Sequence, residues 1–224
     1  MILYSHLVTD IGISMSVSIY RENNSPGKIA TRAHGYSLLT RVQLFNGIHI
    51  VIASRECGDI KFLLSLGVKA KNIIACDIDP VARANAKALG VVVSPRETIQ
   101  DTVTWAFAKH GRKIVSVNAD LCMSVINGTP ILKAVLENIR AMIGGKSSQI
   151  IVMFTYARYR DSVVIKGTDN HMSARLAHIC LETGLSLGHS VNGYGNDYVS
   201  YTKSRTGAPM SMLAVQPFRS YHSK

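Results

Sequence analysis

The chain is poor in acids. Fourteen aspartates and glutamates face 25 lysines and arginines over 224 residues, which leaves a formal charge of +11 and a pI near 9.7. That imbalance predicts a polyanionic partner, nucleic acid first and an acidic protein surface second. Cysteine is scarce as well. Cys57, Cys76, Cys122 and Cys180 have no C-x-x-C spacing and no evident pairing, so reduced thiols in a cytoplasmic setting are expected. No apolar run reaches the length of a bilayer span, and the first residues lack a basic flank followed by an apolar core. Secretion and membrane insertion are therefore not expected. Repeats and low-complexity tracts are missing, and an apolar fraction of 47% argues against disorder.

What is present is enough chain for one well-cored domain. From Ile48 onward, short apolar runs alternate with helical segments. The predicted strands are Ile48–Ala53, Ile73–Cys76, Val91–Val93, Ile114–Val117 (ending near Asp120) and Ile150–Phe154. Between them, helices are predicted from Ile60 to Leu66, from Pro80 with Asp79 as cap and Gly90 past its end, and from a Ser94/Glu97 capping box to about Lys109. A fourth is predicted from Pro130, with Thr129 as cap, to Gly144-Gly145. A further helix is expected over Met172–Thr183, and the remainder, Leu185 to Phe218, reads as strands with a hairpin. Ahead of this domain (47–224), residues 1–46 form an extension with a strand-like Met15–Tyr20 and a helix over Ala30–Phe45. The extension serves as a lid, a substrate platform or a contact arm. The expected class is α/β, a Rossmann-like three-layer sandwich with a mostly parallel sheet.

The segment with most chemical content is Ala53-Ser54-Arg55-Glu56-Cys57-Gly58-Asp59-Ile60-Lys61-Phe62-Leu63, followed by Ala75-Cys76-Asp77-Ile78-Asp79-Pro80. It reads as strand, glycine turn, helix, then a second strand ending on an acid. Parallel α/β sheets bind nucleotide-like ligands with that layout, the acid taking ribose hydroxyls. A dinucleotide fold would need G-x-G-x-x-G, which the segment lacks.

The strand order, the loop and the terminal hairpin resemble the class I S-adenosylmethionine-dependent methyltransferases, from about Ile48 to Gln216. The resemblance implies a seven-stranded sheet ending in an antiparallel hairpin. In the family, an acid and a D/E-x-G-x-G-x-G turn follow the first strand. Aligning Gly58-Asp59-Ile60-Lys61-Phe62-Leu63 with G-D-G-K-F-L puts Ser54 at the acid, Glu56 at the first glycine and Ile60 at the last. A second register puts Glu56 at the acid and Gly58 at the first glycine. In both, the glycine loop is degenerate, and side chains at glycine sites restrict positive φ and fill ligand space.

The resemblance implies S-adenosyl-L-methionine as cofactor, held by Ser54, Glu56, Gly58, Asp77, Ile78 and Asp120, with Asp77 on the ribose and Asp120 as the catalytic residue beside the methyl. Asp120-Leu121-Cys122 is neither the N/D-P-P-Y/F motif of amino-group DNA methyltransferases nor a Pro-Cys nucleophile, so adenine-N6, cytosine-N4 and cytosine-C5 methylation are not expected; the expected acceptor is nucleic acid, RNA before DNA. Arg158, Arg160, Lys203 and Arg205, interleaved with aromatic residues, are the candidate nucleic-acid contacts. No metal is expected: Cys57, Cys76 and Cys122 read as small buried residues, and His34, His171 and His189 as isolated ones. The competing reading is a methyltransferase-like scaffold without catalysis.

Overall fold

The computed structural model describes residues 26–123, 125–143, 150–157, 185–187, 198–201, 210–215 and 217–219. Five strands, β1 (Ile48–Ile52), β2 (Ile73–Cys76), β3 (Val92–Val93), β4 (Ile114–Met123) and β5 (Ile151–Ala157), form a parallel sheet in the order β3-β2-β1-β4-β5. Among the described residues the α-helices are α1 (Pro26–Ser37), α2 (Arg41–Asn46), α3 (Gly58–Ser65), α4 (Pro80–Ala88), α5 (Ile99–His110) and α6 (Val125–Ile143), with short 3-10 turns at Ala70–Asn72 and Gly111–Lys113. The α/β Rossmann-like reading holds. Later segments pair antiparallel: β8 (Met210–Val215) runs along β5, β7 (Tyr198–Tyr201) along β8, and β6 (Leu185–Leu187) along β9 (Pro217–Arg219).

The strands read as apolar runs because both faces are covered. Ile50, Ile74, Cys76, Val117, Ala119, Val152 and Phe154 join α5 and α6 in one core cluster. Val51, Ile73, Ala75, Val115, Ile151 and Met153 belong to the other, which holds Tyr36 of α1, Leu44 of α2 and Phe62 and Leu63 of α3. Residues of the N-terminal segment are thus core residues of this sheet.

Three predicted boundaries are corrected. The single helix over Ala30–Phe45 is two helices, because Thr40 makes a capping box with Gln43 and restarts the chain at Arg41. The Ser94/Glu97 capping box does not form. The Ser94 hydroxyl accepts from the Arg96 amide and from Thr102 Oγ1, Glu97 pairs with Arg83, and Thr98 caps α5 instead. Helix α6 begins at Val125, so Thr129 and Pro130 lie inside it. Gly128 lets that first stretch close onto β5, since a Cβ there would stand 2.6 Å from the Phe154 ring. By contrast, β2 and the Asp79–Pro80 helix start fall where they are predicted, with Asp79 accepting from the Val81 amide. Met15–Tyr20, Gly144-Gly145 and Met172–Thr183 lie outside the described residues.

Candidate functional site

The carboxyl edge of the sheet is built around the turn after β1. Ser54 and Cys57 both adopt left-handed backbone, with φ of +52° and +53°. A non-glycine residue seldom does so, and each instance costs on the order of 1–3 kcal/mol. The strain is offset by tethers. The Ser54 amide donates to Asp77 Oδ2 at 3.0 Å, Asn85 Nδ2 donates to the Arg55 carbonyl at 2.9 Å, and the Arg55 guanidinium pairs with Asp79. The Asp79 amide donates to the other Asp77 oxygen at 2.9 Å, so the Asp77 carboxylate bridges the turns after β1 and β2.

The glycine positions implied by the family alignment are not the strained ones. Glu56 is exposed, Gly58 opens α3, and Ile60 is fully buried within that helix. The left-handed positions fall at Ser54 and Cys57, where the chain carries side chains. Arg55 turns to Asp79, whose carboxyl it holds below the usual range, with the Val81 amide assisting.

Ser54, Glu56, Asp77 and Ile78 lie on the two loops at this edge, Ile78 with 73% of its surface exposed, and Gly58 is the first residue of α3. Asp120 is half-buried and sits within β4, opposite Thr155, with an irregularity between it and Met123. It therefore precedes the strand end instead of following it. Arg158, Arg160, Lys203 and Arg205 lie outside the described residues. Two thiols are pushed away from reactivity by burial, Cys57 upward and Cys76 up to about 12.

The sequence reading missed a buried polar seam. Alternation along β4 puts Val117 and Ala119 in the α5/α6 core and Ser116, Asn118 and Asp120 on the other face. There Arg32 of α1 donates to both oxygens of Asp59, at 2.8 and 3.3 Å, and Asn118 Nδ2 donates to Asp59 Oδ1 at 2.7 Å. Both charged side chains are under a tenth exposed. Burial works against the Arg32 charge, yet Asp59, and more remotely Asp120, hold its pKa above the ordinary arginine value. Deeper along the seam, His49 Nε2 donates to the Leu44 carbonyl (2.9 Å), leaving Nδ1 to accept from Ser116 Oγ (2.8 Å) in the neutral ring. Burial pushes the His49 pKa down to about 4 against the weaker opposing effect of the Leu44 bond. The one sequence signal for the seam was an acid, Asp59, directly after the turn glycine.

No family model and no curated protein matches the sequence. Solved structures do match. An O-methyltransferase from Bacillus cereus in complex with SAH superposes with a TM-score of 0.51 at 12% identity, covering 96% of this chain and 93% of its own. A candidate RNA methyltransferase from Pyrococcus horikoshii gives 0.52 at 11%, with all of both chains covered. The bifunctional kinase-methyltransferase WbdD gives 0.50 at 11%, over 90% of this chain and 44% of its own. The shared property is the fold. This chain has the α/β fold of S-adenosylmethionine-dependent methyltransferases.

Proposed function

We propose that the chain is a methyltransferase that uses S-adenosylmethionine and acts on nucleic acid, with RNA as the substrate class. The observation that carries the reading is Asp77, a half-buried carboxylate leaving β2 at the carboxyl edge and fixed there by two backbone amides. A carboxylate offers about four acceptor sites, so those amides leave capacity for two ribose hydroxyls. Ile78 beside it is an exposed apolar side chain of the kind that covers an adenine face. The Ser54–Gly58 turn and the first turn of α3 suit the anionic end of the amino-acid tail. These residues fit the cofactor, and the tethered turn replaces the freedom that missing glycines would have given.

Bound S-adenosylmethionine supplies an electrophilic methyl on a sulfonium, which needs alignment more than activation. Asp120, on the same β4 face as Asn118 and within reach of the Arg32 charge, orients the acceptor or takes its proton. The β5–β8 and β8–β7 pairings support reading the whole sheet as seven-stranded with an antiparallel hairpin. Support for RNA comes from the +11 charge and from the P. horikoshii neighbour. Arg158 and Arg160 directly follow β5, and Lys203 and Arg205 fall between β7 and β8, so they are assigned to the nucleic-acid contact.

One observation favours a second reading. Both Asp77 oxygens already serve as struts, as they would in a retired scaffold. Calorimetric titration with S-adenosylmethionine, S-adenosylhomocysteine and NAD separates the two. Micromolar binding of the first two alone is expected, and no binding of any would leave the scaffold reading.

A further inference from the structure

The amino edge of the sheet, opposite the candidate cofactor loops, carries a row of cations. The segment entering β1 carries Arg41, the turn entering β2 carries Lys69 and Lys71, Lys87 precedes β3, and Arg112 and Lys113 precede β4. All six are exposed, and those four segments, Arg41–Gly47, Leu66–Asn72, Lys87–Val91 and Gly111–Lys113, contain no acid. Among the described residues every acid except Glu137 instead lies on the carboxyl side, on loops that leave β1, β2 and β3, on the first turns of α3 and α5, or on β4.

The row is continuous. A Cβ on Gly90 would lie 4.0 Å from Ala70, joining the turns before β3 and β2. Asn72 donates to the Phe45 carbonyl at 2.9 Å, joining the turn before β2 to α2, and the Arg41 guanidinium stands 6.0 Å from the Phe45 ring centroid. Gly47 packs directly on Val115, joining α2 to the start of β4. In sheet order the four turns span three strand spacings, about 15 Å, which is the rise of roughly four to five nucleotides along one duplex strand.

Helix dipoles do not account for the row. Cations in the last turn of a helix, such as Lys87 and Lys109, complement its negative end. Lys69 lies outside any helix, and Arg112 and Lys113 sit in a single three-residue 3-10 turn, Gly111–Lys113, too short to carry a macrodipole. The turns entering β2, β3 and β4 expose no large apolar side chain, and the segment entering β1 exposes one, Val42. A protein partner would need an apolar centre to dock on, whereas a phosphate backbone needs only cations.

We propose that this amino edge is a phosphate-backbone binding surface that anchors RNA on the side of the sheet opposite the methyl-transfer loops. The proposal takes the identity of the polyanion from the functional reading above and takes nothing from the cofactor site. The test uses the whole chain and a fluorescent RNA hairpin, with binding followed by anisotropy between about 50 and 200 mM salt. The triple variant Lys71→Gln/Arg112→Gln/Lys113→Gln is compared with the charge-matched Lys61→Gln/Arg96→Gln/Lys133→Gln, whose sites are also exposed. The amino-edge triple should weaken binding roughly thirtyfold to a hundredfold near 0.15 M salt and flatten the log–log salt slope by about 2–3. The control triple should stay within about threefold of the parent. Equal losses in the two triples, an unchanged slope, or a preference for polyglutamate over the hairpin would overturn the surface. Should the triple not fold, Arg112→Gln and Lys113→Gln singly should each lower the slope by about 0.7–0.9. Cofactor titration of the same proteins keeps the readings apart. A chain that binds no cofactor yet shows the large loss ratio upholds the surface and refutes the enzyme.

Discussion

The two edges of this sheet spend charge in opposite ways. At the carboxyl edge nearly every acid has an intramolecular partner: Asp59 with Arg32 and Asn118, Asp77 with two backbone amides, Asp79 with Arg55, Glu97 with Arg83. At the amino edge, Lys69, Lys71, Arg112 and Lys113 form no ion pair among the described residues. Paired charge fixes geometry, and unpaired charge attracts ligands. Substitutions at the first edge should therefore move stability, and substitutions at the second should move association.

The largest effect is expected at Arg32. Arg32→Ala leaves the Asp59 carboxylate buried without its cation, and breaking such a pair costs about 3–5 kcal/mol. Urea unfolding should show the midpoint falling with the m-value unchanged. A loss indistinguishable from that of Lys71→Gln would erase the contrast between edges.

Next comes acid. His49 is held neutral in the fold, with its pKa lowered from 6.5 to about 4. Between those values the unfolded chain binds a proton that the native chain refuses, so stability is full above about pH 6.5 and declines as pH falls toward 4. The contribution is on the order of 3 kcal/mol. A His49→Gln variant should have a lower melting temperature at pH 7 and a flatter profile between pH 6.5 and 4. An unchanged acid slope in that variant would place the proton uptake elsewhere.

At the amino edge the expected stability losses shrink. Thr40→Ala removes the side chain of the capping box that starts α2 and should cost about 1 kcal/mol, read from the thermal midpoint. Smallest of all, Lys71→Gln and Arg112→Gln should leave that midpoint where it is. A clear drop in either would mean the row is structural.

Sequence legibility follows the same division between local and distant chemistry. Strand β2 is read residue for residue, and the Asp79–Pro80 start of α4 is read from its cap, because both signals sit within a few neighbouring residues. The Ser94 cap was misread because its hydroxyl is claimed by Thr102, eight residues away. The buried seam was invisible: Arg32 and Asp59 are 27 residues apart and Asp59 and Asn118 59 apart, and only the packing of α1 on α3 and β4 unites them. At the turn after β1, the alignment weighs glycines at 56, 58 and 60. The positive φ values fall at Ser54 and Cys57, and no composition rule shows where a tether makes strain tolerable.

The most direct test of the cofactor site is a calorimetric comparison of S-adenosylhomocysteine with its analogue lacking both ribose hydroxyls. If Asp77 is the ribose ligand as well as a strut, the parent compound binds with micromolar affinity. Losing hydrogen bonds to a carboxylate, about 1.5–3 kcal/mol each, then weakens the analogue at least tenfold. Equal affinities, or no heat from either compound, would contradict the assignment and leave Asp77 as a structural tie alone.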